Sequence, residues 1–184
     1  MRWYWIDRFI EFESGRSAKS VKNVSLAEDH LHDHFPGHPV MPGSLIVEGF
    51  AQTGGILVAE AQGLASNMIL AKVNKAQFNF PARPGDTLVY SSVLEYLKED
   101  GAQVSGKAHV NGKLQGEVDV FFANVLETGR SRRLFGHAEL LAMMNLLGVY
   151  EVGRAADGSR LKPPPGLEAT AGAYFRALGD MRPS

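Results

Sequence analysis

Alternating hydrophobic and polar residues predict strands over much of residues 3–125. Aromatic and β-branched residues at 3–12 indicate one strand, and a second short strand follows at 20–24. Further strand-like runs occupy 67–74, 86–97, 102–111 and 113–125. Turn signals at Asp100-Gly101 and Asn111-Gly112 favour hairpins between these later runs. Consecutive strands after a single helix are an α+β order rather than alternating βαβ units.

The helix predicted at 44–61 is almost entirely apolar. From Leu45 to Ala59 the polar side chains are Glu48, Gln52 and Thr53. A helix that is apolar nearly all round must be buried, so we expect the strands to pack around it. The glycines at 49, 54 and 55 lower helix propensity and make sense where another element approaches closely.

The pattern changes after about residue 125. Residues 129–133 are basic and indicate a linker, and 134–147 carry leucines and Met144 at near-helical spacing. Residues 153–166 contain three consecutive prolines and predict an extended connector, after which 167–179 could form a last helix. We therefore predict a main domain at 1–127 and a helical extension at 128–184.

Composition narrows the class of protein. The chain has 184 residues, a formal net charge of −1 and 45% hydrophobic residues, which is typical of a globular protein. So balanced a charge argues against a general nucleic-acid or membrane-surface binder. The absence of cysteine excludes disulfides, cysteine-held metals and a thiol nucleophile. The chain shows neither a signal-peptide pattern at 1–9 nor a long uncharged apolar run, so we expect a cytoplasmic protein.

Four of the six histidines lie close together, at positions 30, 32, 34 and 38. They could be incidental residues of a solvated loop. On an extended strand, His30, His32 and His34 would share a face, as metal ligands can. Alternatively, the Pro-Gly pairs at 36–37 and 42–43 stiffen the loop and hold His34 in a fixed position.

Glu48 is the second candidate catalytic residue. A carboxylate on an apolar, buried helix costs free energy unless it is paired, protonated or functional. Gln52 lies four residues later on the same helix face, within reach of Glu48. A histidine and a desolvated carboxyl beside a helix N-terminus form an acid/base pair with an adjoining anion site. Glu48 could instead mark a helix edge that meets solvent.

The segment HFPGHPVMPGSLIVEGFAQTGG resembles the signature of β-hydroxyacyl-acyl-carrier-protein dehydratases of the hotdog fold, the FabZ type. In that family a histidine opens the loop and a glutamate follows fourteen residues later, as His34 and Glu48 do here. Residues 3–25 are similar to the family's first strands, and the segment NKAQFNFPARPGDTL is similar to a later segment of the family. The resemblance therefore covers about 3–125.

This resemblance implies a hotdog fold, in which an antiparallel sheet wraps around the long helix, and an active site shared by two subunits. His34 would be the catalytic base and Glu48 of the partner subunit the acid that protonates the leaving hydroxyl. The Gly43 N–H would bind the thioester oxygen, while the Val40 carbonyl orients the histidine and Gln52 supports the acid. The expected activity needs no cofactor and no metal, and the substrate arrives on acyl carrier protein. His38, ten residues before Glu48, does not match the family spacing and is expected to be a loop residue.

Three departures from the family pattern stand out. Asn79-Phe80 replaces two basic residues, Gly49-Phe50 replaces Ala-Met, and the tail after 127 is additional. We expect the tail to pack on its own domain. A docking role for Arg130, Arg132 and Arg133 toward an acidic carrier protein, or a flexible tail, are the alternatives. A hotdog thioesterase or a non-catalytic acyl-binding protein are the other functions that the sequence allows.

Overall fold

The computed structural model describes residues 3–65, 67–125 and 136–166. Within these ranges the strands are β1 (Arg8–Glu13), β2 (Ser17–Asn23), β3 (Met68–Phe78), β4 (Thr87–Leu97), β5 (Gly101–Val110), β6 (Lys113–Asn124) and β7 (Gly153–Arg154). The helices are α1 (His30–Asp33), α2 (Gly43–Ala61), α3 (His137–Leu146) and α4 (Val149–Val152).

The strands form one sheet in the order β3-β6-β5-β4-β2-β1-β7, antiparallel throughout except for the parallel pair β1–β7. The sheet curves around α2, which packs against β2, β3, β4, β5 and β6. β3 forms one edge of the sheet, and apart from Met68 its side chains are exposed in the single chain. The α+β architecture and the helix at its centre agree with the sequence prediction.

Two glycines let α2 approach the sheet. A Cβ atom at Gly49 would lie 2.5 Å from the ring of Tyr90, and one at Gly54 would lie 2.9 Å from Val104. The helix begins one residue earlier than predicted, and its burial is incomplete in one chain. Leu45, Val47 and Ala51 are only half-buried, because no element within the described ranges covers that part of the helix.

The segment at 26–43 corrects the prediction of a continuous loop. His30–Asp33 form a single helical turn, α1, whose Leu31 is buried in the core. The turn follows a local cap in which Ser25 N–H donates to the Glu28 carboxylate at 2.9 Å. Because the backbone is helical there, His30, His32 and His34 do not alternate along an extended strand as the metal hypothesis required.

The extension packs on the β1 edge of the sheet. Leu141, Met144 and Val149 are fully buried in the same core as the domain. The backbone joins there too, since Phe9 N–H donates to Leu147 O at 2.8 Å and Ser14 N–H to Arg154 O at 2.9 Å. The basic run at 129–133, Leu134 and the helix predicted at 167–179 lie outside the described residues. No helix of the described chain is long and apolar enough to cross a membrane.

Candidate active site

The N-terminus of α2 supplies backbone donors at the centre of the candidate site. Pro42 precedes the helix and no side chain caps it, so the first N–H groups, that of Gly43 included, have no intrahelical acceptor. A Cβ atom at position 43 would lie 2.8 Å from the Phe78 ring, which explains the glycine. These donors, with the helix dipole, favour a negatively charged oxygen at this point.

His34 is held by the loop that leads into the helix. Its Nδ1 lies 2.9 Å from the carbonyl oxygen of Val40, and the Val40 N–H donates back to the His34 carbonyl at 2.9 Å. A carbonyl can only accept, so Nδ1 carries the proton and Nε2 of the neutral ring carries the lone pair. The ring also stacks on Phe35, with 4.3 Å between centroids. The loop therefore presents Nε2 as a base.

Glu48 lies one and a half turns into α2 and is half-buried in the single chain. Gln52 Nε2 donates to Glu48 Oε1 at 2.9 Å and to the carbonyl of Trp3 at 2.9 Å. The Gln52 Oε1 accepts from the N–H of Trp5 at 2.7 Å. The backbone N–H of Trp5 can only donate and the backbone carbonyl of Trp3 can only accept. These two groups therefore fix the orientation of the Gln52 amide.

The described chain brings these residues together in pairs. His34 meets Val40 and Glu48 meets Gln52, but no hydrogen bond or ion pair joins His34 to Glu48 within one chain. Nothing in the sequence pointed to Trp3 and Trp5 as partners of Gln52, because both contacts use their backbone atoms.

The other histidines of the cluster face different partners. The His30 ring packs on Trp5 with 5.2 Å between centroids, and burial lowers its pKa. His32 Nε2 lies 3.0 Å from Leu26 O, and exposed His38 lies 3.3 Å from the Arg83 guanidinium. Within the described ranges, no three His, Asp or Glu side chains are grouped as ligands of one metal ion.

The departures at 49–50 and 79–80 have local explanations. Phe50 is buried against Tyr90, and a Cβ at Gly106 would lie 2.5 Å from the Phe50 ring. Asn79 Nδ2 donates to Leu114 O at 3.0 Å, so it holds β6 to the segment after β3. Phe50 therefore fills the core of the sheet.

A cavity of about 310 Å³ opens beside the helix N-terminus. Its lining includes Met41, Gly43, Ile46, Phe78, Phe80 and Gln115. The cavity is mainly apolar, and it reaches the helix donors at Gly43. A thioester whose oxygen bound at Gly43 would therefore lie in or beside this cavity.

Comparison with known proteins agrees with this fold and shows the family of the chain. The family model of the FabA-like domain matches residues 3–122, so the chain belongs to the FabA-like family. The 3-hydroxyacyl-acyl-carrier-protein dehydratase FabZ of Nitratiruptor sp. is 42% identical over 124 residues, covering 62% of this chain and 82% of that protein. The FabZ of Aliarcobacter butzleri is 39% identical over 120 residues, with the same shares covered.

Solved structures confirm the hotdog fold. The dehydratase heterocomplex ApeI:P of Xenorhabdus doucetiae superposes with a TM-score of 0.58 at 16% identity, over 77% of this chain and 90% of that one. The protein smu.793 of Streptococcus mutans, bound to acetyl CoA, has a TM-score of 0.54 at 13% identity, over 68% and 93% of the two chains. The predicted hotdog architecture is thus confirmed.

Proposed function

We propose that this protein is a hydro-lyase that removes water from 3-hydroxyacyl thioesters on acyl carrier protein, giving trans-2-enoyl thioesters for fatty acid biosynthesis. The observation that carries the proposal is the loop in which Val40 O fixes His34 Nδ1 and which leads, three residues later, into the uncapped N-terminus of α2. Relatives named as 3-hydroxyacyl-acyl-carrier-protein dehydratases support the same reaction class.

His34 takes the proton in the first half of the reaction. The hydrogen on Cα of a thioester is acidified because the carbonyl can accept the electron pair as an enolate. Nε2 removes this proton, and the Val40 carbonyl stabilises the imidazolium through Nδ1–H. The Gly43 N–H binds the oxygen on which negative charge develops.

Glu48 supplies a proton in the second half. The electron pair of the enolate forms the Cα–Cβ double bond while the Cβ–O bond breaks. Hydroxide is a poor leaving group, so Glu48 protonates it and it departs as water. The Gln52 amide holds Oε1 of the acid, which assigns the transferred proton to Oε2. Solvent then returns the proton of His34 to Glu48, and no cofactor or metal takes part.

The site is built from two chains in this proposal. Within a single described chain, no hydrogen bond or ion pair joins His34 to Glu48. The edge strand β3 exposes Ile69, Leu70 and Val73, with 36–41% of each accessible. An exposed apolar edge strand is suited to pairing with a second copy, and the half-buried side of α2 would be covered at the same time. We therefore propose a homodimer, or a larger even oligomer, in the cytoplasm.

Recognition of the carrier protein involves a different surface. Asn79 and Phe80 are engaged in holding β6 and lining the cavity, so they do not offer the positive charge that an acidic carrier would attract. A docking role for the basic run Arg130, Arg132 and Arg133 stays the alternative to simple packing of the extension, and the domain division at 127 and 128 stays our prediction.

Hydration of crotonyl thioesters, the reverse reaction, tests the function directly. We expect the absorbance of the enoyl group to fall on addition of the purified protein, with longer enoyl chains compared in parallel. A thioesterase would release free thiol from a saturated acyl thioester, and an acyl-binding protein would do neither. Thiol release without hydration would overturn the proposal.

A further inference from the structure

Gln115 is a second polar group at the cavity beside Gly43. The side chain lies on β6, is fully buried and lines the cavity. Its Nε2 donates to the Phe80 carbonyl at 2.7 Å, whereas its Oε1 has no hydrogen-bond partner among the described residues. A buried acceptor without a donor costs free energy, so its retention at a binding cavity calls for a ligand that donates to it.

The position of Gln115 results from an irregularity in the sheet. Ala108 pairs with Gly116 and His109 with Leu114, so Gln115 is the extra residue of a β-bulge on β6. Its carbonyl accepts from Asn79 N–H at 2.7 Å, and this bond fixes the bulge against the segment after β3. Bulges often redirect a side chain next to an active site, and here the redirected side chain reaches the cavity.

The orientation of the amide follows from its partner. The Phe80 carbonyl only accepts, so the Gln115 NH₂ must face it and Oε1 must take the opposite side. The Phe78 ring forms a neighbouring wall, packed so closely that a Cβ at Gly43 or Gly116 would lie 2.8 or 2.7 Å from it. The cavity therefore has N–H donors at the helix, and its wall contains one buried, unpaired acceptor, Gln115 Oε1.

We propose that Gln115 Oε1 accepts a hydrogen bond from the amide N–H of the arm that carries the thioester. This assignment rests on the proposed function. A thioester held at Gly43 continues through sulfur and two methylene groups to an amide, as in cysteamine-type arms. Such an arm is apolar next to the sulfur, and the first polar group after it is an amide N–H, which matches an apolar cavity with one unpaired acceptor in its wall. Acyl carrier protein and coenzyme A share this arm.

The test compares two small substrates of the hydration reaction. S-crotonyl-N-acetylcysteamine has the amide N–H, and the crotonyl thioester of 2-acetoxyethanethiol has an ester oxygen in its place. Gln115→Met should lower kcat/KM for the amide substrate about tenfold, mainly through KM, since the amide does not react. For the ester substrate the parent protein should already be about tenfold poorer, and Gln115→Met should change nothing further.

Controls separate recognition from structure. Gln103 is exposed on β5, so Gln103→Met should leave both substrates unaffected. Gln115→Leu provides a second variant should Gln115→Met fold poorly, with thermal unfolding recorded for each. Equal losses on the amide and ester substrates would show a purely structural role and overturn the assignment.

Two further outcomes distinguish this assignment from the function on which it rests. If the parent protein hydrates neither substrate, nor crotonyl coenzyme A, nor the carrier-bound form, the hydro-lyase proposal fails. If it hydrates both small substrates equally well, only the role of Gln115 fails. Crotonyl coenzyme A and the carrier-bound form should lose the same factor in Gln115→Met. A loss confined to the carrier-bound form would overturn the assignment in favour of contact with the carrier protein.

Discussion

The amide of Gln52 donates to the Glu48 carboxylate at 2.9 Å, and the backbone of Trp3 and Trp5 fixes the direction of that amide. Gln52 is thus a positioning residue for the proposed acid. Gln52→Met should lower kcat about 10- to 100-fold, the scale of one hydrogen bond to a charged group, with a smaller effect on KM. Steady-state hydration kinetics measure this split. The exposed Gln103→Met is the matched control, and an unchanged kcat in a folded Gln52→Met protein would contradict the role.

The proposed catalytic pair predicts two severe variants. His34→Ala and Glu48→Gln should each lower kcat by about 10²–10⁴, because each removes a proton-transfer group. Folding should be preserved, since neither side chain is part of the core, and circular dichroism checks this. His38→Ala is the control within the same loop and should stay active. Near-normal turnover by either of the first two variants would exclude that residue from the chemistry.

A site shared by two chains predicts complementation. After subunit exchange, a mixture of His34→Ala and Glu48→Gln proteins should regain about a quarter of the parent activity, because half the dimers are mixed and each contains one intact site. Each variant incubated alone should stay inactive. No recovery, despite exchange demonstrated by mass spectrometry, would place both residues of a site in one chain.

The β3 edge predicts where the subunits meet. Val73 on β3 and Val93 on β4 are exposed to similar extents, 41% and 44%. Val73→Lys should produce monomers with little activity, because a charge on a paired apolar edge opposes association. Val93→Lys changes an equally exposed valine away from the edge and should stay associated and active. Light scattering measures the masses, and an associated Val73→Lys protein would contradict the edge-to-edge arrangement.

Glu60, at the end of α2, predicts a pH-dependent stability. Burial raises the pKa of its carboxyl, against a smaller opposing effect of the hydrogen bond from Ser14. Between the ordinary value of 4.5 and the raised pKa, the folded state binds more protons than the unfolded state. The free energy of unfolding therefore falls as pH rises through this interval and stays reduced above it.

Glu60→Gln removes this half-buried charge. The variant should have a Tm about 2–4 °C above the parent at pH 7, and the difference should vanish below the ordinary pKa of a carboxyl group. Exposed Glu99→Gln is the control and should shift the Tm equally at both values of pH. A lower Tm for Glu60→Gln at pH 7 would show that the charged form is stabilising.

The hydrophobic pattern along the chain and the turn signals were sufficient to predict the main elements of the fold. The apolar run after Pro42-Gly43 predicted α2 to within a residue, since the long apolar run and the Pro-Gly signal before it are both visible in the sequence. Hairpin signals at Asn111-Gly112 correctly separated β5 from β6. The four-residue α1 was missed because its local cap, Ser25 to Glu28, competes with nearby Pro-Gly signals.

Less of the candidate site than of the fold could be predicted from the sequence. His34, Glu48 and Gln52 follow from a linear motif, and the structure places Gln52 on Glu48 as expected. The backbone contacts of Trp3 and Trp5 depend on the distant start of the chain. Gln115 reaches the cavity only because a bulge shifts the alternation of β6, and no residue pattern in that strand signals the shift.

The extension also occupies the edge of the sheet that lies opposite β3. β7 pairs with β1 over two residues, so the edge opposite β3 ends in a very short strand. The other side of that strand is itself paired within the chain, through an isolated β-bridge between Arg154 and Arg160. A sheet with two long open edges can add copies indefinitely, as fibres do. Here only β3 offers a long edge within the described chain, so edge pairing is satisfied by one partner. In the proposed edge-to-edge dimer, the added C-terminal segment would thereby limit the sheet to one partner.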